Sequence, residues 1–135
     1  VPGPVRLSGH SAGGHLVARM AVSGALPPEV AQRLHSIVPI SPVADLRPML
    51  KTSMNAQFGL TLAAAEAESP VLMKPMDVPV TVWVGAGEGP AFLDQARWLA
   101  EAWNCGHVVA PGKHHFDVID ALSDPDSAMV SALVG

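Results

Sequence analysis

The chain has 135 residues, of which 49% are hydrophobic and 15% charged, with 13 prolines, one cysteine and a formal net charge of −4. That length suits one domain able to bury a core, and the composition is that of a loop-punctuated globular protein, not a disordered or collagen-like one. No run of Lys or Arg marks a nucleic-acid binder, the lone Cys105 excludes an internal disulfide framework and a cysteine-rich zinc site, and no apolar stretch is long enough to cross a bilayer.

The chain opens on Val1-Pro2-Gly3-Pro4, with neither an initiator methionine nor the basic-then-apolar layout of a signal peptide. The expectation is the later part of a longer protein, in the cytoplasm. Val5–Leu7 reads as a first strand. Behind it Gly9-His10-Ser11-Ala12-Gly13 forms a G-x-S-x-G pentapeptide that opens into a helix with Leu16, Val17, Met20 and Ala21 at helical spacing. The glycines on either side of Ser11 are expected to be small because the turn is too tight for side chains. Gly24 and Pro27-Pro28 stop the helix. Ile37–Ile40 is a second strand, expected to be short or irregular at its end because Pro39 has no N–H to donate.

Between Ser41 and Pro79 the pattern loosens, with a turn at Asp45, a helical turn at Pro48–Leu50 and a helix over Leu62–Ala67 capped by Thr61. This stretch suits a lid or pocket wall. Val80–Val84 is β-branched and apolar throughout, as a strand buried on both faces should be. Gly85–Gly89 is a loop, and Pro90 starts a helix with Phe92, Leu93, Ala96, Leu99, Ala100 and Trp103 at helical spacing. Cys105 is expected to pack as a small apolar side chain. Val108–Ala110 is a last strand, Pro111–His115 a loop, and Phe116–Val134 one or two helices broken near Asp124-Pro125. This β-α-β-α order predicts an α/β fold with a mainly parallel sheet of about four strands.

A serine hydroxyl is a weak nucleophile and needs a base, and the base needs a carboxylate to fix its tautomer. Ser11 follows the first strand, Glu88 the Val80–Val84 strand and His115 the Val108–Ala110 strand, so all three face the crevice of a parallel sheet. His10 and His15 flank the serine and cannot easily fold back over it, while His35 and His107 precede strands and belong to the opposite edge. That leaves His114 and His115, with His115 favoured. Asp94 falls in a helix, Asp77 precedes its strand and Asp117 is too near His115, which makes Glu88 the acid and Asp45 the runner-up. The backbone N–H of Ala12 is the one oxyanion donor in view, since nothing before Val5 supplies the usual second. The histidines lack zinc-site spacing and the Gly13-Gly14 turn lacks a P-loop lysine, so neither a metal nor a phosphate site is expected.

Ser8-Gly9-His10-Ser11-Ala12-Gly13-Gly14-His15-Leu16, Asp45–Leu50, Ser69-Pro70, Val84-Gly85 through Pro90-Ala91-Phe92, and His115–Val118 together resemble the kynurenine formamidase (arylformamidase) branch of the esterase/lipase-type α/β-hydrolases. The resemblance runs over nearly the whole chain and over the carboxyl-terminal half of the family domain, so residues 1–135 are expected to be one partial domain. It implies Ser11 as nucleophile, His115 as base and Glu88 as acid, where close relatives usually carry aspartate. It further implies hydrolysis of a small-molecule ester or aryl formamide, N-formylkynurenine being the signature substrate, without metal or organic cofactor. With the glycine-rich oxyanion segment missing, activity is expected to be impaired, and a catalytically silent remnant acting through protein contacts is the alternative. The strand before Ser11 is central in the family sheet, so here its open edge is expected to favour self-association.

Overall fold

The computed structural model describes residues 1–135. Its apolar runs pair as one parallel sheet in chain order, from β1 (Val5–His10) through β2 (Leu34–Ile40) and β3 (Thr81–Gly85) to β4 (Gly106–Ala110). Alternation along the strands then sends side chains to two separate cores. Ile37, Val82 and Val84 face one layer, where they meet Val17 and Ala18 of α1 (Ala12–Met20), Ala21 just beyond its end, and the apolar stripe of the long helix Pro90–Trp103. Val38, Ile40 and Trp83 face the other, against Val118 and Met129 of the closing helices. Ile37 and Ile40 are fully buried, each contributing about 1.5–3 kcal/mol by leaving water.

The intervening helices are short: α2 (Pro28–Ala31), α3 (Asn55–Phe58) and α4 (Leu62–Ala67), the last capped as expected by the Thr61 hydroxyl, which accepts the Ala64 N–H at 3.1 Å. The long helix is α5, with Pro90 in its first turn, and it stops where Asn104 enters the left-handed region at φ 46°. A 3₁₀ turn over Val118–Ser123 and α6 (Ala128–Val134) close the chain, with the break falling at Asp124–Ser127. The Ser36 hydroxyl donates to the Leu133 carbonyl and ties α6 to the sheet. No helix is long and apolar enough to cross a membrane.

Three local expectations need correcting. β2 is the longest strand, at seven residues, and its irregularity lies in the pairing instead. Ile37 donates to the Pro79 carbonyl just before β3 and Ser41 to the Trp83 carbonyl within it, and the rung between them is missing because Pro39 has no N–H. β1 runs three residues past Leu7 to His10, since its partner strand is long enough to pair with it. Leu16, expected on the apolar stripe of α1, is 56% exposed, and the buried line of that helix runs through Gly14, Val17 and Ala18.

Candidate active site

All four strands run the same way, so their carboxyl ends share one edge, and each delivers a polar residue to it. β1 leads into Ser11, which turns straight into α1. Its backbone stands at φ 59°, ψ −113°, a conformation costing a non-glycine residue on the order of 1–3 kcal/mol. The Ser11 N–H donates to the Ile40 carbonyl at 2.9 Å, and that bond helps hold the turn. A side chain on Gly9 would collide with the Gly13 carbonyl, as expected. At Gly13 the expectation fails, because a Cβ there meets nothing within 4 Å. The second steric glycine is Gly14, where a Cβ would lie 2.9 Å from the Ile40 oxygen and the Pro42 Cα.

Glu88 and His115 come together because their loops pack backbone against backbone. The Gly87 N–H donates to the Lys113 carbonyl at 2.8 Å, and a Cβ on Gly85 would run into that same carbonyl. Gly85 is therefore a packing requirement, and a Cβ on Gly87 would lie 3.1 Å from the same oxygen. With the loops joined, His115 Nδ1 lies 2.6 Å from Glu88 Oε1 and His115 Nε2 lies 3.2 Å from Ser11 Oγ. A carboxylate accepts, so Nδ1 carries the proton and Nε2 presents its lone pair to the serine hydroxyl.

The Glu88 side chain is fully buried. Its second oxygen, Oε2, accepts the Ser41 hydroxyl and the Gly85 N–H, both at 2.6 Å, so the buried carboxylate has three donors to offset the loss of water. Ser41 follows β2 directly and is itself fully buried. Three rings enclose the imidazole: Phe92 stacks on it with centroids 4.1 Å apart, His10 lies at 4.5 Å and Phe116 meets it edge-on at 5.3 Å. Ala12 is the first residue of α1, so its N–H is among the donors a helix leaves without an internal acceptor.

The remaining sequence candidates lie elsewhere. Asp45 clasps Arg47 in a two-pronged pair at 3.0 and 2.7 Å, and the guanidinium holds its carboxyl below the ordinary aspartate value. His114 points to solvent and uses Nδ1 to accept the backbone N–H groups of Phe116 and Asp117. His15 binds the Glu68 carbonyl, and His35 lies exposed at the opposite edge of the sheet. Ser41, Phe92 and His10 were not singled out as site residues from sequence. Ser41 carried one usable signal, a polar residue immediately after a buried strand.

Next to Phe92 an apolar cavity of about 350 Å³ is lined by Val43, Met49, Met54, Ala91 and Phe92. Its one buried amide, Gln95, makes three hydrogen bonds with the Ala44 and Asp45 backbone, so the cavity wall offers little polarity. A larger cleft of about 660 Å³ opens beside Asp77, Val80 and Cys105, and none of Ser11, Glu88 and His115 lines it. Burial there pushes the Cys105 thiol above its ordinary value, keeping it protonated.

No family model matches the chain. It is 26% identical to the kynurenine formamidase of Salmo salar and 24% identical to that of Danio rerio, with 95% of the chain aligned in each case to 48% and 47% of those proteins. Among solved structures, a candidate thioesterase from a Silicibacter species superposes over the whole chain with a TM-score of 0.97 at 56% identity, the match covering 52% of that protein. The propionate-bound esterase 2 of Thermogutta terrifontis, 21% identical, shares the fold with a TM-score of 0.61 over 95% of this chain and 56% of its own. The chain thus spans about half the length of the relatives it matches. On the shared parallel sheet and these relatives, the chain belongs to the α/β-hydrolase superfamily.

Proposed function

We propose that the chain carries the reacting half of a serine hydrolase that cleaves a carboxylic ester or an aryl formamide through an acyl-enzyme. The observation that carries the reading is the unbroken hydrogen-bond chain from Ser11 Oγ through His115 to buried Glu88. Ser11 attacks the substrate carbonyl carbon while its proton passes to His115 Nε2, and Glu88 stabilises the imidazolium through Nδ1. The Ala12 N–H donates to the developing oxyanion. His115 then returns the proton to the departing alkoxide or amine. Water attacks the acyl carbon with His115 again as base, and Ser11 leaves protonated.

The names of the relatives support this class: two are kynurenine formamidases, one an esterase and one a candidate thioesterase. The apolar cavity beside Phe92 supports a substrate with an apolar acyl or aryl group. The test is incubation with a fluorophosphonate probe, read by intact mass, followed by hydrolysis assays on p-nitrophenyl butyrate and N-formylkynurenine. A single adduct on Ser11 that disappears in Ser11→Ala is expected. An adduct elsewhere, or none, would overturn the reading and leave a silent fold acting through protein contacts.

A further inference from the structure

We infer that His10, the residue before the proposed nucleophile, is a positioning residue that locks the His115 loop onto the end of β1. The inference rests on the reading of His115 as the base. His10 Nε2 lies 2.6 Å from the His115 carbonyl oxygen, a contact between residues 105 apart in sequence. A carbonyl only accepts, so His10 is the donor and carries its proton on Nε2. No backbone N–H donates to that carbonyl, which leaves His10 as its partner. The two rings also touch, with centroids 4.5 Å apart and planes 40° apart.

The consequence is mechanical. Glu88 fixes the far nitrogen of His115 and Phe92 packs on its ring, yet neither fixes the backbone from which the ring hangs. Gly87 holds the loop at Lys113, two residues earlier, whereas His10 holds the carbonyl of His115 itself and is covalently next to Ser11. Nucleophile and base are thereby referred to one rigid point, the end of β1, so displacement of that strand carries both. The Ser11–His115 contact, at 3.2 Å, is already long for a hydroxyl donor and has little tolerance for a drifting loop. Misplacement of reacting groups by about 1 Å costs on the order of 100-fold in rate.

Two substitutions separate the ring from the hydrogen bond. His10→Phe keeps ring packing and loses the donor, whereas His10→Gln loses the ring and keeps an amide N–H near the same place. In fluorophosphonate labelling of the full chain, His10→Phe should lower the maximal rate about 10–100-fold, leave the half-saturating probe concentration unchanged, and be rescued by His10→Gln to within about threefold. Wild-type labelling by His10→Phe, or equal loss in both variants, would overturn the proposal.

A second measurement does not need activity. Nitrogen-edited imidazole spectra of the wild type should show His10 protonated on Nε2 and a sharp His115 Nδ1–H signal that broadens or moves in His10→Phe. A proton on His10 Nδ1, or an unmoved His115 signal, would overturn the proposal even if the wild type takes no label. Failure to label with these spectra as expected would instead overturn the hydrolase reading alone.

Discussion

Glu88 holds one oxygen against His115 and the other against Ser41 and Gly85, so its two ends can be tested separately. Glu88→Gln replaces an acceptor facing Nδ1 with a group that can also donate, which favours the wrong imidazole tautomer. The turnover number on p-nitrophenyl butyrate should fall on the order of 10³–10⁴-fold. Ser41→Ala leaves that end intact and removes one donor from Oε2, so a fall of about tenfold in kcat with unchanged KM is expected. Asp45, the other carboxylate considered, makes a stability prediction. Its folded-state value lies below the ordinary one of about 3.9, so the Arg47 pair stabilises fully above that pH and is lost as pH falls through the lower folded value. Asp45→Asn should cost about 1 kcal/mol at pH 7, since the half-exposed guanidinium is screened by water, and denaturant midpoints should show the gap to wild type closing in acid.

The turn from β1 into α1 shows where sequence spacing reads an element correctly and misassigns a residue within it. The G-x-S-x-G pattern locates the turn, but the steric demand at its helical side falls on Gly14, which faces the end of β2, and not on Gly13. Gly14→Ala should therefore destabilise by about 1–3 kcal/mol, from overpacking against backbone that cannot yield. Gly13→Ala meets open space in a helix and should be neutral or stabilising by up to about 1 kcal/mol. Urea melts of the two variants should move in opposite directions or by clearly unequal amounts. The same reason explains β2. Pro39 is visible in sequence, but whether its missing donor shortens a strand or merely removes one rung depends on which neighbour its nitrogen faces.

At the scale of the molecule, β1 pairs with β2 on one side alone and leaves its other edge open. Val5 and Ser11 turn their N–H groups toward β2, so strand alternation turns those of Arg6, Ser8 and His10 outward. A free edge with outward donors is a template for a further strand. Sedimentation of the 135-residue chain should show larger species as concentration rises, and Arg6→Pro, which removes an outward donor, should reverse the shift. A concentration-independent monomer would count against association through this edge.

The sequence by itself determined the order of the four strands and of the longer helices, the turn at Ser11 and the loops holding Glu88 and His115, because periodicity and turn chemistry are local. The four-residue helices Pro28–Ala31 and Asn55–Phe58 are too short to show a period. Only the tertiary structure decided which histidine faces the serine, what holds the second oxygen of Glu88, and that His10 and Phe92 bear on the base. Those contacts join residues up to 105 positions apart, and their distances follow from how two glycine-bearing loops pack at one sheet edge, which no local pattern encodes.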